Sequence, residues 1–164
     1  MTILGVDPST VATGWGILDG DARRPRAVDS GVIRPDPDLR WEEKLRAVHE
    51  EMLAVVDRAS PELLVIESTF LHRNVRTALL LGQIRGVILL AASLRRLEVA
   101  EYSASEIKRA IVGNGSAEKS QVAYMMTRLL GLSSTTTHDE ADALAAAWCH
   151  LSRSMIPAVL RGAR

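Results

Sequence analysis

Hydrophobic positions follow two different periods along this chain, and the switches between them predict its elements. Thr2 to Asp7 is a short apolar run ending in an acid, and Gly14 to Asp19 is a second run beyond the turn chemistry of Pro8 to Thr13. Ala27 to Ile33 is a third, closed by Pro35-Asp-Pro-Asp38. These spacings predict three strands, the first two forming a hairpin. The period then becomes helical: Leu45, Val48, Met52, Val55 and Val56 predict an amphipathic helix over Leu39 to Ala59, with Asp38 as its N-cap and Ser60-Pro61 as its stop. Leu63 to Ile66 predicts a buried strand ending at Glu67. Asn74 to Leu97 predicts a long helix carrying Leu79, Leu80, Ile84, Val87, Ile88 and Ala91, and Val99 to Tyr102 a fifth strand. A short helix from Ala104 to Val112 is broken by Gly113-Asn-Gly-Ser116, and a further helix covers Ala117 to Leu130 with Ser116 as its N-cap. The last helix spans Asp139 to Ser152, and Pro157 leaves a tail expected to fray, giving a domain over residues 1–153 and a tail over 154–164.

Antiparallel strands first and helix-connected strands afterwards predict an α/β fold, a mixed five-stranded sheet with helices on both faces. A ribonuclease H-like fold fits that order best. Composition agrees with one folded domain: 164 residues, 47% hydrophobic and 24% charged, exclude a disordered or collagen-like chain. The lone Cys149 excludes an internal disulfide and favours a reducing compartment, so the expected location is cytoplasmic. The apolar stretch Ala78 to Leu94 is interrupted by Gln83 and Arg85, so no transmembrane helix and no membrane partner are expected.

Formal net charge is zero, but its distribution is uneven: residues 1–67 carry 8 basic against 13 acidic side chains, and residues 68–128 carry 9 against 4. Such segregation suits a protein that holds cations on some elements and phosphates on others, and equally a set of solvated helix faces.

The candidate chemistry lies where carboxylates interrupt apolar strands. Asp7 and Glu67 each end a buried strand; one such acid commonly just opens a turn, whereas two point to a shared crevice beyond the strand ends. Asp139 and Asp142 are three residues apart at the start of the last helix and project from one face. An acidic first turn complements the helix dipole and accounts for Asp139 alone. Asp142 is harder to account for, because Ala141, Leu144 and Ala145 put it near the buried side, where an unpaired carboxylate is costly and a cation offsets the cost. Four carboxylates are hard oxygen ligands suited to Mg²⁺ or Mn²⁺, and two such ions can activate water and stabilise the leaving oxygen of a phosphodiester.

Five segments carry a family resemblance: Gly5-Val-Asp-Pro-Ser9; Val65-Ile-Glu67 followed by Phe70; Leu81-Gly-Gln-Ile-Arg-Gly-Val87; Val112-Gly-Asn-Gly-Ser-Ala-Glu-Lys-Ser-Gln-Val122; and Asp139-Glu-Ala-Asp-Ala-Leu-Ala145. In order and spacing, over about residues 1–150, they resemble the RuvC family of bacterial Holliday-junction resolvases. The resemblance implies a homodimeric, Mg²⁺-dependent endonuclease, with Mn²⁺ able to substitute and two ions per site, that nicks two strands of a four-way DNA junction symmetrically. It implies Asp7, Glu67, Asp139 and Asp142 as catalytic metal ligands. His138 directly precedes Asp139 and blurs the register, because the family tolerates His at the third acidic position; the Asp-x-x-Asp spacing aligns Asp139, leaving His138 to bind DNA or cap the helix.

The resemblance further implies that Phe70, the only phenylalanine, wedges against junction bases, where stacking contributes about 1–3 kcal/mol. It assigns Lys108 and Lys119 to DNA, and Arg73 and Arg76 stand within reach of phosphates; read without it, Phe70 is a loop aromatic folded onto the core and Lys119 a solvated first-turn lysine. Gly82 and Gly86 form a GxxxG spacing that allows close helix approach, within the chain or, as the resemblance implies, across a dimer interface. Cooperation with the RuvAB branch-migration complex is also implied. Two other readings compete. A catalytically inactive junction-binding module would bind without metal-dependent cutting. A nucleotide-binding domain of the sugar kinase or actin-like ATPase type is suggested by Asp7-Pro-Ser with Gly14 and Gly16, although such kinases need two domains.

Overall fold

The computed structural model describes residues 1–68, 74–133 and 136–154. Strands β1 (Ile3–Asp7), β2 (Thr13–Asp21) and β3 (Arg24–Ile33) precede helix α1 (Trp41–Ala59), strand β4 (Leu63–Ser68), helix α2 (Val75–Leu94) and strand β5 (Glu98–Ser103). Helices α3 (Ala104–Val112), α4 (Lys119–Leu130) and α5 (His138–Ser154) follow. One sheet has the order β3-β2-β1-β4-β5; β2 is antiparallel to β1 and β3, and β4 is parallel to β1 and β5. The mixed five-stranded sheet and its helix-connected second half are as expected.

Period-two alternation along the central strands divides the core. Leu4, Val6, Leu64 and Ile66 face α1 and α2, in a cluster with Val48, Met52, Ile84 and Ile88. Ile3, Leu63 and Val65 face the opposite way and join Ile107, Val122, Met126, Leu144 and Ala147 of α3, α4 and α5. Each buried aliphatic side chain contributes about 1.5–3 kcal/mol, so both faces of β1 and β4 anchor the sheet. At one end of the α1/α2 layer, Arg95 clasps Asp57 through two hydrogen bonds of 2.5 and 2.9 Å.

Several boundaries differ from expectation for identifiable reasons. β3 starts at Arg24 rather than Ala27 and includes Pro25, which is tolerated because β3 is an edge strand. Asp38 does not cap α1: Arg40 is the N-cap, and its backbone N–H donates to the Glu43 carboxylate at 3.0 Å. Helix α2 stops at Leu94, before a left-handed residue at Arg96 (φ 57°). Ser116 is not an N-cap either, since its backbone N–H and hydroxyl both donate to Asn114 Oδ1 within a turn; α4 begins later, and Gln121 accepts from the Glu118 N–H at 3.2 Å.

Gln83 and Arg85 interrupt the apolar run of α2 less than expected. Within its 20 residues, an 18-residue window has a mean hydropathy of 1.7, enough to cross a bilayer by length and composition alone. Here Leu81, Ile84, Ile88, Ala91 and Ala92 of the helix are buried in the protein. The expected tail lies outside the described residues apart from Ser154, which ends α5.

Candidate active site

Asp7 and Glu67 stand one residue beyond the register pair Val6–Ile66, at the carboxyl ends of adjacent parallel strands. Alternation puts both on the side occupied by α3, α4 and α5. The third carboxylate arrives because α5 lies almost on the backbone of the sheet. Gly5 pairs with Gly16, and Asp7 with Gly14, so these glycines form a strip beneath the helix. A Cβ on Gly5 would lie 2.0 Å from the Ala143 carbonyl oxygen, one on Gly14 2.1 Å from that of Asp139, and one on Gly16 2.6 Å from the Leu144 side chain. Only glycine permits that approach. The same contacts remove the phosphate-hairpin reading of Gly14 and Gly16, because helix backbone and side chain occupy the space a phosphate would need.

Asp7, Glu67 and Asp142 share a pocket of about 180 Å³ with Lys108 and Lys119, over a floor that includes Ile107, Val122 and Ala145. Burial, reinforced by the charges of Glu67 and Asp142, raises the Asp7 carboxyl from an ordinary 3.8 to about 7. Burial and the charge of Asp142 also push Glu67 up, against opposing pulls from Lys119, Lys108 and Arg85. Lys119 Nζ lies 3.5 Å from Asp142. Asp142 is thus neither buried nor unpaired as the helical pattern suggested: its side chain is 32% exposed and meets an ammonium from another helix.

Asp139 stands apart from this pocket. It lies over Gly14 and pairs with Arg34 at 3.9 Å, at the flank of the other three carboxylates. His138 is the exposed first residue of α5 but not its cap. Thr137 takes that role: its N–H donates to the Glu140 carboxylate at 2.7 Å, and its hydroxyl accepts from the Glu140 N–H at 3.3 Å. Arg76 is exposed in the first turn of α2 and does not line the pocket. Phe70 and Arg73 lie outside the described residues. Gly82 and Gly86 are exposed, and a Cβ on either meets nothing within 4 Å among the described residues, so close packing against those residues is not the reason for their spacing.

Two arginines were missed in the sequence. Arg85, read there as an interruption of an apolar run, donates to the Glu67 backbone carbonyl and pairs with Glu101 at 2.9 Å, tying α2 to two strand ends. Arg34 gave no signal beyond its position after a strand. Among the described residues no three His, Cys, Asp or Glu side chains close into a coordination cage. An open set of carboxylates fits Mg²⁺ all the same, since that ion retains several waters and takes only one or two protein carboxylates. It would offset the burial and the mutual repulsion that together raise Asp7.

Comparison with known proteins agrees with this geometry. Residues 3–150 match the family model described as "Crossover junction endodeoxyribonuclease RuvC". The enzyme of that name from Paramagnetospirillum magneticum is 45% identical over 150 residues, covering 92% of this chain and 90% of the relative. That from Alkalilimnicola ehrlichii is 43% identical over 161 residues, covering 98% and 97%. Among solved structures, T. thermophilus RuvC in complex with Holliday junction substrate superposes with a TM-score of 0.88 at 30% identity, covering 94% of each chain. Matched along nearly its whole length in sequence and in fold, this chain belongs to the RuvC family of crossover junction endodeoxyribonucleases, which resolve Holliday junctions.

Proposed function

We propose that Asp7, Glu67, Asp139 and Asp142 are the catalytic carboxylates of this nuclease and hold Mg²⁺, two ions per site, with Mn²⁺ able to substitute. The observation that carries this reading is the gathering of Asp7, Glu67 and Asp142 around one pocket with Lys108 and Lys119. Bound there, the ions supply an activated water and stabilise the oxygen leaving phosphorus. Asp7 is the central ligand, since burial and two neighbouring carboxylates make its charge the least favourable to leave uncompensated. Asp139 turns from Arg34 to complete the set. Lys108 and Lys119 accompany the strand and offset phosphate charge as it enters. Arg73 and Arg76 contact phosphates nearby, His138 stands on the DNA side of α5, and Phe70 stacks on bases at the junction centre.

Symmetric nicking needs two such sites facing one junction, so the active species in this reading is a homodimer. The face of α2 supports it: Val75, Leu79, Leu90 and Leu94 are 72%, 65%, 50% and 54% exposed, and Gly82 and Gly86 lie along the same side. An apolar stripe of that kind marks an interaction surface. The protein works in the cytoplasm and cooperates with RuvAB-type branch-migration proteins. Incubating the protein with a four-way junction and a matched linear duplex tests the reading. Paired nicks across the junction, dependent on Mg²⁺ and abolished by chelator while the junction stays bound, are expected; binding without cutting at any Mg²⁺ or Mn²⁺ concentration would leave the inactive binding module in its place.

A further inference from the structure

The carboxyl edge of the sheet carries cations on both sides of the carboxylates, and only the side nearer β5 is used above. β3 is antiparallel to β2, itself antiparallel to β1, so β3 ends at the same edge as β1, two strands away. At about 4.8 Å per strand that is about 10 Å, or about three nucleotide rises of a DNA strand. Arg34 directly follows β3. With Thr10, Val11, Pro35, Pro37 and Lys44 it lines a second pocket, of about 280 Å³. Thr10 and Val11 belong to the loop that leaves β1 just after Asp7, and Arg34 reaches Asp139, so this pocket opens at the same edge of the sheet as the carboxylates.

Neither cation is fully engaged. The Arg34 side chain is 63% exposed, and its 3.9 Å contact with Asp139 is a long one that holds a guanidinium weakly and leaves most of its five donors available. Lys44 Nζ donates to the Pro37 carbonyl at 2.6 Å, which fixes the ammonium against the pocket wall and leaves two donors. Val11 is 72% exposed and Thr10 lines the same pocket, an apolar and a polar residue of the kind a sugar contacts. Convergent cations without a carboxylate among the pocket-lining residues suit a phosphate better than a metal or a neutral ligand.

We propose that Arg34 and Lys44 form a second backbone seat for the DNA strand, on the flank opposite Lys108 and Lys119. The strand being cut is then held on both sides of the carboxylates, and Arg34 exchanges Asp139 for a phosphate when DNA arrives. This rests on the assignment of the carboxylates and of Lys119 given above.

The test measures junction affinity in chelator across a salt series, so that it reads binding alone. Arg34→Ala and Lys44→Ala are each expected to weaken binding about tenfold and to lower the slope of log affinity against log salt by about one, with Arg34→Lys restoring the slope. Lys119→Ala serves as the benchmark and should lower the slope similarly. Unchanged slopes for Arg34→Ala and Lys44→Ala beside a lowered slope for Lys119→Ala would overturn the second seat and leave the proposed function standing. An unchanged slope for Lys119→Ala as well would overturn the reading of the site itself, and the inference with it.

Discussion

Asp7 shows what a single carboxyl costs when its surroundings favour the neutral form. Its carboxyl titrates near 7 in the fold, against 3.8 ordinarily, chiefly because of burial. Between these values the native state holds a proton that the unfolded chain has released, so stability falls as pH rises through that window and levels off above it. The full difference is about 4 kcal/mol. In chelator, Asp7→Asn should therefore melt well above the parent at pH 8 and close to it at pH 4, as a series of thermal unfolding curves would show. A gap that does not change with pH would mean that the carboxyl is under no such strain. Asp7 and Glu67 could be found in the sequence because acids that end apolar strands stand out. The partner of Asp142 could not: Lys119 lies on another helix, and only the packing of α4 against α5 brings the two to 3.5 Å.

The elements depend on glycine where the sequence alone suggested something else. Gly14 and Gly16 looked like half of a phosphate hairpin, yet they pave the sheet beneath α5. Gly14→Ala would push its Cβ against the Asp139 carbonyl, a backbone atom that can yield only if the helix start moves. Overpacking of this kind costs about 1–3 kcal/mol, and a displacement of about 1 Å at a reacting site can cost about 100-fold in rate. The variant is expected to fold with a lowered Tm and to lose about 100-fold in nicking measured well below that Tm; full activity there would mean that the strip does not position Asp139 and Asp142. Periodicity gave the order and type of every described element, while caps were misplaced. Asp38 and Ser116 have the right chemistry for capping, but Arg40 and Glu118 sit at the helix starts because Glu43 and Gln121 reach back to their N–H groups. Turns compete for the same side chains, as Asn114 does for Ser116.

At the scale of the molecule, one helix has a buried face for the core and an apolar face for something else. The sequence left Gly82 and Gly86 open between intrachain and interchain packing; among the described residues nothing packs on them, which favours the second. Gly86→Leu is consequently a suitable probe, since its Cβ meets none of the described residues of the subunit. Light scattering should find the parent dimeric at micromolar concentration and the variant shifted toward monomer, whereas an unchanged dimer would move the interface elsewhere. The arrangement of the whole, with two carboxylates on strand ends, a third lowered onto them by α5 and a fourth at the flank, has one central claim: these groups cut DNA rather than shape the fold. The most direct measurement takes a single preparation of Asp7→Asn and reads four-way junction binding by gel shift and nicking with Mg²⁺ side by side. Binding within a few fold of the parent with nicking down by several orders of magnitude is the predicted result; nicking at the parental rate, or loss of folding and binding together, would contradict it.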